Sequence, residues 1–201
     1  MNIAVFCGSG LPGDSRITKA AETLGRRLAE EGHTLIYGGS NLGLMGVVSA
    51  AALNLDNREG SVAGHVVGVI PTLFSEEIIR SQPVTELVRV RSMAERKEYI
   101  IARSDAFIAL PGGIGTLDEV LEVMVANQLG LVRDRSGANL PQGKPMYLLN
   151  LDGFYDPFLK QLRQMHQMGF VRATGEASLH AVGSTEEFFN ILNQNEKNKK
   201  N

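Results

Sequence analysis

The chain has 201 residues and a mass of 21.8 kDa, enough for one α/β domain that buries roughly 70% of its unfolded surface. Its 43% hydrophobic and 21% charged content is ordinary for a globular protein, and a net charge of −2, with acidic residues spread along the chain, argues against a nucleic-acid-binding surface. A single cysteine, Cys7, excludes an internal disulfide and a cysteine-built zinc cage, and His33, His65, His166 and His180 show no metal-ligand spacing.

Met1-Asn2-Ile3 leads straight into a strand pattern from Ile3 to Phe6, so no signal peptide is expected. No apolar run approaches the roughly 18 residues of a membrane span. The expectation is a cytoplasmic protein with no membrane or metal partner, in which Cys7 is a buried, reduced thiol. After a glycine-rich turn, Asp14 or Ser15 caps a helix whose apolar positions Ile17, Ala20, Leu24 and Leu28 keep helical spacing until Gly32 stops it. Thr34 to Tyr37 predicts the second strand, followed by the glycine-rich run Gly38 to Gly46 and an alanine-rich helix to about Leu55. Asn57 to Gly64 is a polar loop, and Val66 to Ile70 is a strand stopped by Pro71.

Leu87 to Val90 predicts a short strand, Met93 to Arg103 a helix, and Ala106 to Leu110 another strand. An amphipathic helix spans Leu117 to Leu129, and the polar, Gly/Pro-rich stretch from Val132 to Lys144 is a loop. Met146 to Leu149 is a strand, and Asp156-Pro157 opens a helix with Phe158, Leu162 and Met165 on one face. Ser184-Thr185-Glu186-Glu187 has the spacing of a capping box for a last helix through Leu192. The alternation of short apolar runs with helical stretches predicts an α/β fold with a mostly parallel sheet and helices on both faces. Residues 1–192 form that single domain, and Asn193 to Asn201 is a polar tail expected to be disordered.

Open parallel sheets bind ligands beyond the carboxyl ends of their strands. Three strands here run directly into glycine turns: Cys7-Gly8-Ser9-Gly10, Gly38 to Gly46, and Pro111-Gly112-Gly113-Ile114-Gly115. The last turn opens a helix, so its glycines bring unpaired N–H groups and a helix dipole toward a bound anion. Gly8-Ser9-Gly10-Leu11-Pro12-Gly13 formally matches a dinucleotide fingerprint. However, Pro12 interrupts it and no acid follows the second strand at Tyr37-Gly38-Gly39, which argues against NAD(P).

Thr116-x-x-Glu119 supports two readings. It is the spacing of a capping box, and it also sets a carboxylate beside the anion turn. The three glycines before it favour a ligand site, because a helix needing only a cap has no use for them. Arg96-Lys97 taken alone is a solvated helix face.

Tyr37-Gly38-Gly39 with Gly43-Leu44-Met45-Gly46, Gly68-Val69-Ile70-Pro71, Met93-x-x-Arg96-Lys97 and Pro111-Gly112-Gly113-x-Gly115-Thr116-x-x-Glu119 together resemble the Lonely Guy (LOG) family, from about Ile3 to Phe170. These are cytokinin riboside 5′-monophosphate phosphoribohydrolases, once widely mislabelled as lysine decarboxylases. The resemblance implies a modified Rossmann fold, a homodimer or higher oligomer, no cofactor, and hydrolysis of a purine nucleoside 5′-monophosphate to free base and ribose 5-phosphate. It assigns Arg96 and Glu119 as the catalytic pair, and Gly112, Gly113, Gly115, Thr116 and Lys97 to the phosphate or ribose, with Ser9 facing the ligand. Glu77 and Met93 fall on the base side. Ser40 stands where the family usually has a third glycine, and Ser92-Met93-Ala94 replaces the usual Asp-Met-His. A non-catalytic nucleotide sensor or carrier on the same fold is the competing reading.

Overall fold

The computed structural model describes residues 1–54, 60, 62–74, 83–134, 136–140, 142–171 and 178–200, the last five by backbone only. Seven strands form one sheet: β1 (Asn2–Phe6), β2 (Thr34–Tyr37), β3 (His65–Pro71), β4 (Glu86–Val90), β5 (Ala106–Ala109), β6 (Met146–Leu149) and β7 (Leu179–Val182). Their order is β4-β3-β2-β1-β5-β6-β7, and every pairing is parallel. Among the described residues the α-helices are α1 (Ser15–Glu30), α2 (Gly43–Ala52), α3 (Met93–Arg103), α4 (Ile114–Gln128), α5 (Asp156–Gln167) and α6 (Thr185–Lys200). This is a Rossmann-like architecture in a single domain, with its topology reversing between β1 and β5. No helix among the described residues is long and apolar enough to cross a membrane.

Successive strand residues face opposite layers. Ile3 and Val5 of β1, with Cys7 just past it, pack with Leu24 and Leu28 of α1, Val48 of α2 and Phe188 of α6. Ala4 and Phe6 pack on the other side with Ile100 of α3, Val120 and Val123 of α4, and Leu162 of α5. The central strands are buried on both faces, which is why they are continuous apolar runs rather than alternating ones.

Several strand ends shift by one residue, and four larger differences separate the structure from the sequence expectation. β7 was not anticipated, because His180 and Ala181 at the sheet edge are exposed and interrupt the apolar run. α2 ends at Ala52 rather than near Leu55. α6 continues through the polar segment to Lys200, and Asn193 and Asn195 bind Glu31 Oε2 and Tyr147 Oη at 3.1 and 3.3 Å. α4 begins three residues early, at Ile114 rather than Leu117, with consequences for the site. Half of the expected Asn57–Gly64 loop lies outside the described residues.

Candidate active site

The turns after β1 and β5 meet at the point where the sheet topology reverses. A side chain on Gly8 would come within 3.8 Å of the Gly112 Cα. A cavity of about 280 Å³ opens here, with Gly8, Gly112 and Gly113 beside apolar walls from Leu11, Leu44 and Phe154. At its edge α4 starts with Gly113 as N-cap and no side-chain cap, so the first-turn N–H groups have no intrahelical partner. No acidic residue lies in that turn. The bare N-terminus is suited to an anion.

Thr116 is therefore the third residue of α4 and not its cap, and Glu119 is the sixth. The capping-box reading of Thr116-x-x-Glu119 is thus corrected, and the carboxylate lies in the second turn rather than the first. The cause is the glycine run, which lets the helix start at Ile114 with backbone alone. Thr116 instead packs back onto Gly112, where any Cβ would collide with its hydroxyl.

Glu119 shares the buried stripe of α4 with Thr116, Val120, Val123 and Met124, at spacings of three and four. A carboxylate occupies a core position there, and its partner comes from α3. Ser92 caps α3 by accepting from Glu95 N at 3.1 Å, and Arg96 faces inward with Ile100. Arg96 Nη2 reaches Glu119 Oε1 at 3.1 Å, with both side chains about nine-tenths buried. Gly38, just past β2, makes room for this pair, since a Cβ on it would overlap the guanidinium. Arg96 Nε is buried without a hydrogen-bond partner.

Burial pushes the Glu119 carboxyl up to about 7, against the pull of Arg96, with the Asp118 charge adding to the rise. Near neutral pH it therefore exists in both protonation states. Cys7 is close enough to feel both charges; burial chiefly, and Glu119 next, keep its thiol protonated far above neutral pH. It is an inert core residue here.

The other expected site residues divide. Ser9 is exposed on the β1 turn, and its backbone packs against Gly43 at the start of α2. Met93 is 42% exposed, and its sulfur lies 3.9 Å from Arg96 Nη1. The Lys97 amine is held by Asp118 Oδ1 at 3.0 Å and Glu122 Oε2 at 2.8 Å, on the outward side of α4. Glu77 lies outside the described residues. The sequence reading missed Gly38 as the space for Arg96 and the loop after β6, whose Phe154 lines the cavity. The signal for the second was available, because Asp152-Gly153 follows a strand at the same sheet end as the other turns.

Residues 45–192 match the family described as "Possible lysine decarboxylase". Over 169 residues the chain is 43% identical to the cytokinin riboside 5′-monophosphate phosphoribohydrolase LOG of Oryza sativa subsp. japonica, covering 84% of this chain and 63% of that protein. It belongs to the LOG family. Another relative, LOG2 of Arabidopsis thaliana, is 35% identical over 192 residues, 96% of this chain and 82% of its own length. Among solved structures, a molybdenum cofactor binding protein from Rippkaea orientalis superposes with a TM-score of 0.63 at 24% identity, covering 96% of this chain and 95% of that one. The Moco carrier protein of Chlamydomonas reinhardtii gives 0.66 at 20% identity, over 96% and 95%. These two share the LOG-family fold; at such identity the likeness extends no further than architecture.

Proposed function

We propose that the chain hydrolyses the N-glycosidic bond of a purine nucleoside 5′-monophosphate, using water to release free base and ribose 5-phosphate. The observation that carries this is Glu119, a buried carboxylate beside Arg96 in the second turn of a helix whose bare N-terminus suits a phosphate. A site built only to hold phosphate gains nothing from a second buried anion. The relatives named as phosphoribohydrolases support the same reaction.

The phosphate sits at the Gly112–Thr116 turn and the ribose is thereby fixed against Glu119, so binding energy becomes positioning. Cleavage builds positive charge at the anomeric carbon and ring oxygen. Glu119 as carboxylate stabilises that charge or takes a proton from the attacking water, both ordinary roles for glycosidic carboxylates. Arg96 orients Glu119 and sets a permanent positive charge beside it. Ser9 faces the ligand from the β1 turn and Met93 lies toward the base. Lys97 acts through its ion pairs with α4, and no cofactor takes part. A decarboxylase would need a lysine free to anchor a cofactor, whereas the Lys97 amine is taken by two carboxylates.

The protein acts in the cytoplasm, where nucleoside monophosphates occur and Cys7 stays reduced. It works as a homodimer, for which Leu121 and Val125 of α4 and Leu129 at its C-cap supply an exposed apolar stripe at spacings of four. Sedimentation velocity tests this, with Val125→Glu expected to shift a dimer to monomer.

The deciding experiment incubates the protein with AMP and with isopentenyladenosine 5′-monophosphate and follows free base by chromatography, with Glu119→Gln in parallel. Release by the wild type alone is the expected result, and the ratio of rates names the preferred base. Nucleotide binding with no release would overturn hydrolysis and leave a sensor or carrier.

A further inference from the structure

The phosphate turn must be held at its upstream end as well as by α4, and one buried side chain does this. Leu110, one residue past β5, is anchored on one side by its N–H, which donates to the Phe6 carbonyl at 2.9 Å. Its own carbonyl accepts from the Tyr155 hydroxyl at 2.6 Å, a contact 45 residues apart in sequence and buried. Pro111-Gly112-Gly113 begins at the next peptide. The hydroxyl therefore fixes the last peptide plane before the chain turns into the proposed anion site.

Tyr155 is itself over-determined. Its N–H donates to Asn150 Oδ1 at 2.7 Å, and Asn150 Nδ2 donates to Asp156 Oδ1 at 2.8 Å. Between them Asp152 and Gly153 adopt left-handed backbone, with φ of 49° and 74°. A non-glycine residue such as Asp152 persists in that region only when its surroundings impose it. Here the constraint delivers two aromatic rings at once: Phe154 to the cavity wall and Tyr155 to Leu110, packed edge to face at 4.9 Å. Burial holds the Tyr155 hydroxyl protonated well above its ordinary range, so it stays a donor at any working pH.

We infer that Tyr155, locked by Asn150, is a positioning residue for the Pro111–Thr116 turn, setting affinity for the phosphate of the nucleotide rather than taking part in bond cleavage. The inference rests on the reading of that turn as the phosphate site. Tyr155→Phe keeps the ring and removes only the hydroxyl. Calorimetry is expected to show AMP binding about tenfold weaker, which is about 1.4 kcal/mol, with adenosine binding, which lacks the phosphate, within twofold of wild type. In turnover KM rises by the same factor and kcat stays within about threefold. Asn150→Ala, which loosens the same loop without touching Leu110, moves the ratio of AMP to adenosine affinity in the same direction by a smaller factor, and serves alone if Tyr155→Phe does not fold.

A merely structural role lowers Tm in both variants but weakens AMP and adenosine equally, and that outcome overturns the inference. So does unchanged AMP affinity, or a fall in kcat at constant KM. A wild type that binds AMP without releasing base overturns the hydrolase reading alone, since the affinity ratio can still be measured. A wild type that binds AMP no better than adenosine removes the phosphate site and this inference with it.

Discussion

Three segments carry Ser or Thr followed three residues later by Glu at a predicted helix start, and only two of them are caps. In Ser184-x-x-Glu187 the hydroxyl accepts from Glu187 N at 3.1 Å and the exposed carboxylate accepts from Gly183 N at 2.7 Å. In Ser92-x-x-Glu95 the hydroxyl accepts from Glu95 N and the carboxylate from Arg91 N at 2.8 Å, which holds the Glu95 carboxyl below its ordinary range. In Thr116-x-x-Glu119 neither side chain touches a helix end. The glycines start α4 three residues sooner, so the same spacing is carried into the helix body, and Glu119 turns into the core. Its carboxyl is shifted upward where that of Glu95 is shifted downward. The same local spacing thus yields a cap or a buried carboxylate paired with an arginine, according to where the helix begins.

Exchange of the buried Glu119 and of the capping Glu187 breaks this comparison most directly. Glu119→Gln is expected to lower kcat by ~10²–10⁴-fold with nucleotide affinity largely kept. Glu187→Gln should leave turnover within twofold, and comparable losses in both variants would refute the distinction.

Next in size is Gly38→Ala, which puts a methyl into the space of the Arg96 guanidinium. We expect a ~10–10²-fold loss of kcat/KM from displacement of the pair, with a cooperative melting transition retained. Wild-type kinetics in this variant would mean that Arg96 does not need its present place.

The pH dependence separates Glu119 from ordinary surface acids. With its carboxyl near 7, kcat/KM should fall as pH drops through about 7 and not through 4 to 5. Stability runs the other way. Between 4.5 and 7 the folded chain holds a proton that the unfolded chain releases. This group's contribution is therefore present below 4.5 and lost as pH rises through 7. Replacing it by neutral glutamine should raise Tm over wild type at pH 8, by a free energy on the order of a few kcal/mol, with the gap closing near pH 4.5. A constant gap across that range would count against a raised carboxyl.

The smallest expected effect is at the true cap. Ser184→Ala should cost about 1 kcal/mol in denaturant unfolding and leave base release untouched. Thr116→Ala, by contrast, should act on nucleotide affinity, since Thr116 packs on Gly112 and not on a helix end.

Much of the fold was legible in the residues themselves. Parallel strands buried on both faces leave short apolar runs, Asp14 accepts from Arg16 N as a cap should, and Gly32 takes the left-handed φ of 70° that ends α1. These are local preferences, set within a turn of chain. β7 was not legible, because an edge strand with exposed His180 and Ala181 carries no apolar run, and its pairing to β6 is decided by the sheet it joins. The polar stretch after Leu192 was likewise opaque, since Asn193 and Asn195 find Glu31 and Tyr147 only once the layers are packed.

For the site, the sequence by itself determined the parts: three glycine turns at one end of a parallel sheet, and an arginine and a carboxylate close to them in chain order. Tertiary structure decided how they are used. It brought Arg96 and Glu119 to 3.1 Å in a space that Gly38 keeps open, gave the Lys97 amine to Asp118 and Glu122, and set Tyr155 against Leu110 across 45 residues. The physical reason is desolvation. A residue's type and spacing are written along the chain, but whether its charge is buried, paired or left in water depends on which surfaces the layers close over it.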